Sequence, residues 1–263
     1  MYEQFEALNI DCADGVVRVT LNNPPLNPVT PQLHYELSRV FKVINDDPQA
    51  QVVVLTGAGD RGFSAGGDIK NMAKGLDDHI RWSASMREAR DIVTSMLACD
   101  VPIIARINGH AVGMGTTLAL CADITVMAEG AKIGDTHVKI GLAAGDGGAL
   151  LWPPLVGLVA ARRFLLGGDL LSAREAFEAG LLTEVAAREE LDARVQLWVD
   201  KFLNTPSLAL RYTKRALNTM LLQQVGVYMD AHLGLETLTH LSADHREAVT
   251  ALVEGRPPAF QRG

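Results

Sequence analysis

Two glycine-rich segments, residues 62–70 and 108–117, are the parts of this sequence best suited to chemistry. Glycine lets a ligand oxygen approach a backbone N–H without a Cβ in the way, and a helix that begins there adds unpaired N–H groups and a positive end. Two N–H groups aimed at one oxygen form an oxyanion hole, which stabilises a thioester enolate or a tetrahedral adduct. Either segment alone would also fit a plain strand-to-helix turn.

The signatures of other common sites are absent at the positions where they would be expected. No GxxxxGK[ST] phosphate loop occurs, and no GxGxxG follows the first predicted strand at residues 17–21. Cys12, Cys99 and Cys121 are widely spaced, without a CxxC or a neighbouring histidine run, which indicates neither a disulfide framework nor a zinc site. The sequence therefore predicts no metal. His34 is interpreted as a surface or packing residue.

The elements that position the two segments follow from the apolar pattern. Val17, Val19 and Leu21 alternate with polar residues, which predicts a half-buried strand. Residues 52–55 form a wholly apolar run, and residues 103–107 repeat it in part, as expected for strands covered on both faces. Each glycine-rich segment then lies at the carboxyl end of a strand, where α/β proteins bind ligands.

Helix signals complete a β-α-β alternation with a helical second part. Thr30 and Pro31 predict an N-cap and first helical residue, and Ser172 with Glu175 predicts a capping box. From about residue 158 onward the strand signal fades and helices dominate. Their apolar faces exceed what one small sheet can cover, which favours self-association.

Composition narrows the class of protein further. A length of 263 residues allows one large α/β domain, and a formal charge of −7 disfavours binding to nucleic acid or to an anionic membrane. No apolar run approaches the roughly 20 residues of a membrane helix, and the first ten residues carry no basic region of a secretory signal. We expect no membrane association and a cytoplasmic location.

Longer stretches carry a specific family resemblance. FSAGGDIKNM and PIIARINGHAVGMGTTLALCADITVMAEGAKIG resemble the two motifs of the crotonase (enoyl-CoA hydratase/isomerase) superfamily, and the similarity continues in order to the tail AVTALVEGRPPAF. It implies an α/β fold, a spiral of β-β-α units with a helical C-terminal region that assembles as a homotrimer or dimer of trimers. We place the core at residues 1–200 and the helical trimerisation region at residues 201–263. The resemblance implies an acyl-CoA substrate and no cofactor, since coenzyme A enters with the substrate.

Matching positions assign roles to individual residues. The resemblance places the two oxyanion N–H donors on Gly67 and Met114. The residues expected to contact the substrate are Ala65, Gly66, Asp68, Ile69 and Lys70. Arg162, Arg163 and Lys214 could meet the CoA phosphates, although scattered basic residues are usually a solvated face.

The sequence departs from the hydratase pattern at the catalytic acids and bases. Thr117 and His137 stand where typical hydratases carry two glutamates. A threonine hydroxyl orients a water but is no base near neutral pH, whereas an unperturbed imidazole titrates near pH 6.5. Asp146, flanked by glycines, is the other candidate, with a turn or N-cap role as the alternative. We expect His137 to transfer protons with Asp146 assisting.

Three functions fit these residues. The first is an enzyme of the enoyl-CoA hydratase/isomerase type that stabilises a thioester enolate. The second is a superfamily enzyme of another reaction, such as thioester hydrolysis, C–C cleavage or decarboxylation. The third is a non-catalytic acyl-CoA-binding protein.

Overall fold

A computed structural model describes residues 1–261, and within them the chain forms ten strands and ten α-helices. The strands are β1 (Leu8–Ala13), β2 (Val16–Leu21), β3 (Val52–Gly57), β4 (Gly62–Ser64), β5 (Ile103–Ile107), β6 (His110–Val112), β7 (Ile124–Ala128), β8 (Lys132–Gly134), β9 (Leu171–Ser172) and β10 (Glu184–Ala186). The helices are α1 (Pro31–Asn45), α2 (Ile69–Lys74), α3 (His79–Ala98), α4 (Met114–Leu120), α5 (Gly148–Gly167), α6 (Ala173–Glu178), α7 (Leu191–Leu203), α8 (Ser207–Gln224), α9 (Asp230–His240) and α10 (Ala243–Glu254).

The longer strands form a six-stranded sheet in the order β1-β2-β3-β5-β7-β10. Only the β1–β2 pair is antiparallel; the other neighbours run parallel. Strand β3 is buried along its whole length, with Val53 and Leu55 in one apolar cluster and Val52 and Val54 in another on the opposite face. A strand covered on both faces needs apolar side chains at every position, which explains the unbroken Val-Val-Val-Leu run.

The short strands form a second sheet in the order β4-β6-β8-β9. In each of three successive units a strand of the large sheet is followed by a strand of the small sheet and then by helix, as in β5, β6 and α4. This is the predicted spiral of β-β-α units, and the helices α7 to α10 supply the predicted helical C-terminal region. Strands β4 and β6 lie inside the two glycine-rich segments, so both segments emerge side by side from one parallel pair.

Two buried asparagines anchor the loop that leads into the first glycine-rich segment. The Nδ2 of Asn27 donates to the carbonyl oxygens of Ala58 and Gly62 at 2.9 and 2.8 Å. Asn108 exchanges two hydrogen bonds with the backbone of Gly57, at 3.1 and 3.0 Å. Because each amide satisfies backbone groups that would otherwise be buried unpaired, these side chains hold the loop in one conformation.

A buried ion pair attaches the C-terminal helices to the core. The Nζ of Lys214 on α8 donates to Asp123 Oδ2 at 2.6 Å and to the Val101 carbonyl at 2.9 Å. The ammonium group of Lys214 is therefore bound within the protein, and Lys214 is not among the residues that line the cavity described below, which disfavours the alternative that it meets the CoA phosphates.

Helix α5 is long and apolar enough, by length and composition alone, to cross a membrane; it is the one such helix within residues 1–261. A single helix of this kind is weak evidence, and core helices pass the same criterion. Gly157, with φ of 76° and ψ of 156°, interrupts the helix near its middle. The second half exposes Leu158, Val159 and Leu166, an apolar surface of the sort that associating proteins cover.

Candidate active site

Both glycine-rich turns open into one cavity of about 420 Å³. Its walls come from the two turns, the N-terminal parts of α1 and α3, the short 3₁₀ helix His137–Ile140, and side chains of α9 and α10. Residues far apart in sequence therefore meet around one space, as in most ligand sites.

The first turn leaves the N–H of Gly67 without an acceptor. On either side of it, Ala65 donates to the Leu26 carbonyl at 2.8 Å and Asp68 donates to the Val29 carbonyl at 3.3 Å. The N–H of Gly67 itself contacts no acceptor among residues 1–261. Asp68 then caps α2 by accepting from two backbone N–H groups. Gly67, which lines the cavity, thus has an unpaired backbone donor between two residues whose N–H groups are bonded.

The second turn leaves a matching donor at Met114. Gly113 has φ of 53°, and its N–H donates to the Gly134 carbonyl at 3.0 Å. Met114 begins α4, so its N–H has no helical partner and no other acceptor in the described chain. The positive end of α4 adds to the attraction for a negative oxygen.

The two turns are in direct contact, and Gly66 is the reason that they can be. A Cβ at Gly66 would lie 2.6 Å from the Val112 carbonyl oxygen and 3.5 Å from the Met114 nitrogen. Gly66 also has φ of 78°, which non-glycine residues rarely adopt. The glycine therefore brings the two unpaired N–H groups to one end of the cavity.

His137 lies next to this end, held between two carboxylates. Its Nδ1 is 2.7 Å from Asp135 Oδ1, and its Nε2 is 3.4 Å from Asp146 Oδ2. All three side chains are buried. A Cβ at Gly113 would lie 3.6 Å from His137 Cε1, which places the imidazole edge beside the residue that precedes Met114.

The two carboxylates set the charge state of His137. Burial opposes its charged form, but the negative charges of Asp146 and Asp135 outweigh burial and raise the pKa of His137 well above its usual value. Burial alone would raise the pKa of Asp135, but the charge and the hydrogen bonds of His137 outweigh burial and lower the pKa of Asp135. The two carboxylates therefore favour the imidazolium form of His137, in contrast to the unperturbed imidazole expected from sequence.

A third acid, Glu236 on α9, lies beside Asp146. The glycine at 145 permits this approach, since a Cβ there would lie 2.4 Å from the His232 carbonyl and 2.8 Å from Glu236 Oε2. Burial and the charge of Asp146 raise the pKa of Glu236 well above its usual value, which favours the neutral carboxylic acid. Asp146 Oδ1 and Glu236 Oε2 have no hydrogen-bond partner in the described chain.

Most residues selected from sequence line this cavity. They are Ala65, Gly66, Gly67, Asp68, Ile69, Met114, His137 and Asp146. Two do not. Lys70 is exposed on α2 and lies outside the lining, and Thr117 is buried one turn into α4, under the turn at Gly147. A Cβ at Gly147 would lie 2.4 Å from Thr117 Cγ2, so the threonine packs against that turn.

Sequence reasoning missed Asp135, Glu236 and His34 as members of the site. Asp135 lies two residues before His137, a spacing that could have drawn attention to it. His34, interpreted as a packing residue, lines the cavity, and its Nδ1 is 2.7 Å from Glu88 Oε2. Neither His34 nor Glu236 belongs to a local motif, because only the tertiary fold brings α1 and α9 to the cavity.

The buried cluster also has the spacing of a cation site. One ligand atom from each of Asp135, His137 and Asp146 lies within 4.8 Å of the others, and two carboxylates with an imidazole could bind a divalent cation. Protonation of His137 offsets one of these two negative charges without a metal. The sequence-based expectation of no metal therefore stays a prediction.

Comparison with known proteins identifies a family that the chain matches over nearly its whole length. The family model described as enoyl-CoA hydratase/isomerase matches residues 11–263. The chain is 30% identical to a crotonyl-CoA hydratase of Syntrophomonas wolfei, with 97% of this chain and 98% of the relative covered.

Solved structures agree with the sequence match. An enoyl-CoA hydratase/isomerase from Mycobacterium paratuberculosis has a TM-score of 0.89 at 37% identity, covering 93% of this chain and 97% of that one. A β-diketone hydrolase from the cyanobacterium Anabaena, bound to (S)-3-oxocyclohexyl acetic acid, has a TM-score of 0.84 at 28% identity, covering 91% and 96%.

Proposed function

The chain belongs to the enoyl-CoA hydratase/isomerase family of enzymes, and from that premise we propose that it forms and reprotonates the enolate of an acyl-CoA thioester. The observation that carries this proposal is the pair of unpaired N–H groups on Gly67 and Met114, two residues that line the same cavity as His137 and Asp146. The thioester oxygen would accept both N–H groups. Each donor in such a hole contributes about 3–4 kcal/mol when negative charge develops on the oxygen.

In this proposal Asp146 is the base and His137 is the acid. The α-proton of the polarised thioester passes to Oδ1 of Asp146, the oxygen that has no partner in the described chain. The imidazolium of His137 then donates its Nε2 proton to the neighbouring carbon or to a leaving β-substituent, while Asp135 holds Nδ1. This proposal is the reverse of the assignment expected from sequence, and the raised pKa of His137 supports it, because an imidazole that is already protonated begins as a donor.

Hydrolytic cleavage of a C–C bond is the second candidate function. The observation that favours it is the third acid, Glu236, since adding water to a ketone and releasing an enolate needs more proton transfers than α-exchange does. Water would lose a proton to Asp146 as its oxygen bonds to the ketone carbon. The bond from that carbon to the α-carbon then breaks, its electron pair forms the enolate held by the two N–H groups, and His137 protonates the α-carbon. The structural similarity to a β-diketone hydrolase supports this alternative.

Isotope exchange tests the first proposal. With a bound acyl-CoA in heavy water, the wild-type protein is expected to place deuterium at the α-carbon, as followed by proton NMR. Asp146→Asn should slow this exchange at least about 100-fold with little change in affinity, and His137→Ala should slow deuterium entry at the neighbouring carbon that His137 protonates. The control is His79→Ala, an exposed histidine outside the cavity.

The outcomes separate the candidates. No α-exchange with any acyl-CoA that binds would overturn enolate formation, and equal exchange by wild type and Asp146→Asn would remove Asp146 as the base. Incubation with 3-oxoacyl-CoAs and β-diketones, followed by mass spectrometry, tests the second function. A carboxylic acid formed from the ketone side of the substrate, carrying one oxygen atom from water, supports C–C cleavage. Recovery of the intact substrates contradicts it.

A further inference from the structure

The cavity has a polar wall that the proposed enolate chemistry does not use. One face of α3 lines the cavity with Arg81, Trp82, Ser85 and Met86, which recur after one helical turn. His34, on the adjacent α1, lines it as well. A cavity for a plain alkyl chain would be lined by apolar side chains, because buried polar groups without partners destabilise the complex.

A carboxylate orients the ring of His34, as carboxylates commonly orient catalytic histidines. Its Nδ1 is 2.7 Å from Glu88 Oε2, and the two side chains are 14% and 23% exposed. The Glu88 contact occupies Nδ1, and Nε2 has no hydrogen-bond partner within residues 1–261. His34 lies one helical turn after Thr30, and the adjacent Val29 pairs with Gly67. His34 therefore lines the cavity close to the first turn.

Arg81 adds a positive charge to this wall. Its guanidinium forms neither an ion pair nor a side-chain hydrogen bond with any described residue. The nearby Asp77 is paired with Arg246, and Asp78 caps α3. A cavity-lining guanidinium without a carboxylate partner is suited to an anionic or strongly accepting oxygen of a ligand.

We propose that the acyl group of the substrate carries an oxygen-bearing substituent, a ketone or a carboxylate, that binds Nε2 of His34 and the guanidinium of Arg81. The inference rests on the proposed function, since it names the substrate class of the same site. Glu88 acts as a positioning residue that holds the His34 ring. Both polar side chains would lose water on binding an alkyl chain, whereas an accepting oxygen replaces that water with hydrogen bonds.

Calorimetric titration with four thioesters tests this inference: hexanoyl-CoA, its 4-oxo and 5-oxo derivatives, and adipyl-CoA. We expect the wild-type protein to bind at least one oxo or carboxylate thioester about 10- to 100-fold tighter than hexanoyl-CoA, the range for one or two hydrogen bonds to buried or charged groups. The two oxo compounds and adipyl-CoA distinguish a ketone from a carboxylate.

The variants are His34→Leu and Arg81→Met, with His79→Leu on the first turn of α3 as the control. Both test variants should reduce the preference for the polar thioester to within about threefold, and the control should keep it. Arg81→Met carries the test if His34→Leu does not fold, because Arg81 is only partly buried. Glu88→Gln should weaken the preference and shift its pH dependence, which a purely structural role would not do.

Binding of hexanoyl-CoA by the wild type as tightly as, or more tightly than, all three polar thioesters overturns the inference, as does an unchanged preference in both variants. α-Exchange with hexanoyl-CoA is measured on the same samples. Exchange without polar preference leaves the proposed function standing, whereas absence of exchange with every bound thioester counts against the proposed function instead.

Discussion

Gly66→Ala is a direct perturbation of the contact between the two glycine-rich turns. Two terms add. The φ of 78° costs an L-residue about 1–2 kcal/mol, and the new Cβ would lie 2.6 Å from the Val112 carbonyl oxygen. That oxygen is backbone, so the turns must separate, at about 1–3 kcal/mol for overpacking. The sum is about 2–5 kcal/mol of unfolding free energy.

Gly130→Ala provides a matched control. Gly130 has φ of 80°, and a Cβ there would meet nothing within 4 Å. It should therefore lose only the conformational part, about 1–2 kcal/mol. Urea unfolding of both variants, at equal protein concentration in case the chain is oligomeric, measures the difference.

The same variant should also impair catalysis. Separation of the two N–H donors by even 1 Å costs about 100-fold in rate, so α-exchange by Gly66→Ala should fall by that order while Gly130→Ala exchanges normally. Gly66→Ala that is as stable as Gly130→Ala, and that exchanges as fast as wild type, would refute the contact between the turns.

The site and the surface lead to four further predictions. Asp135→Asn should lower the pKa of His137, because a charge that raises it is removed; the alkaline limb of the kcat/KM profile should then move to lower pH, and an unmoved limb would contradict the Asp135–His137 coupling. Because the pKa of His137 is higher in the folded than in the unfolded protein, its protonation stabilises the fold fully below the unfolded pKa, and this stabilisation is lost as pH rises through the folded pKa. The Tm of the wild-type protein should therefore fall as pH rises above about 6.5, and the Tm of Asp135→Asn should fall less. Crotonyl-CoA hydration, followed by thioester absorbance, should be about 100- to 10,000-fold slower than in ordinary hydratases, and equal turnover would show that another pair replaces the glutamates. Light scattering should give a trimer or hexamer, whereas a monomer of 28.3 kDa at micromolar concentration would contradict the predicted trimerisation.

Features with a local physical cause could be predicted from sequence. Thr30 caps α1 with Pro31 as its first residue, and Ser172 and Glu175 form the expected capping box. These signals are local because a cap bonds to backbone within three residues. The glycine-rich turns were predicted for the same reason, since glycine marks positive φ and close approach directly.

Features that depend on tertiary packing could not be predicted in this way. Strands β4 and β6 have only three residues each, too few for a period of two to be visible. Glu236 reaches Asp146 from a helix about 90 residues away in sequence, and His34 gains its partner Glu88 only when α1 packs on α3. The charge state of His137 likewise depends on carboxylates that the fold gathers.

Replacement of Met114 by proline is the sharpest test of the proposed oxyanion hole, because it removes one of the two N–H groups and puts a ring carbon in place of its hydrogen. Met114 is the first residue of α4, where proline is tolerated, and its N–H has no partner to lose in the described chain. Met114→Leu keeps the N–H and serves as the control. The measurement is the rate of α-deuterium exchange of a bound acyl-CoA, with folding checked by circular dichroism. We predict that exchange by Met114→Pro falls about 100- to 1,000-fold below that of Met114→Leu, and a folded Met114→Pro that exchanges at the rate of Met114→Leu would contradict the oxyanion hole.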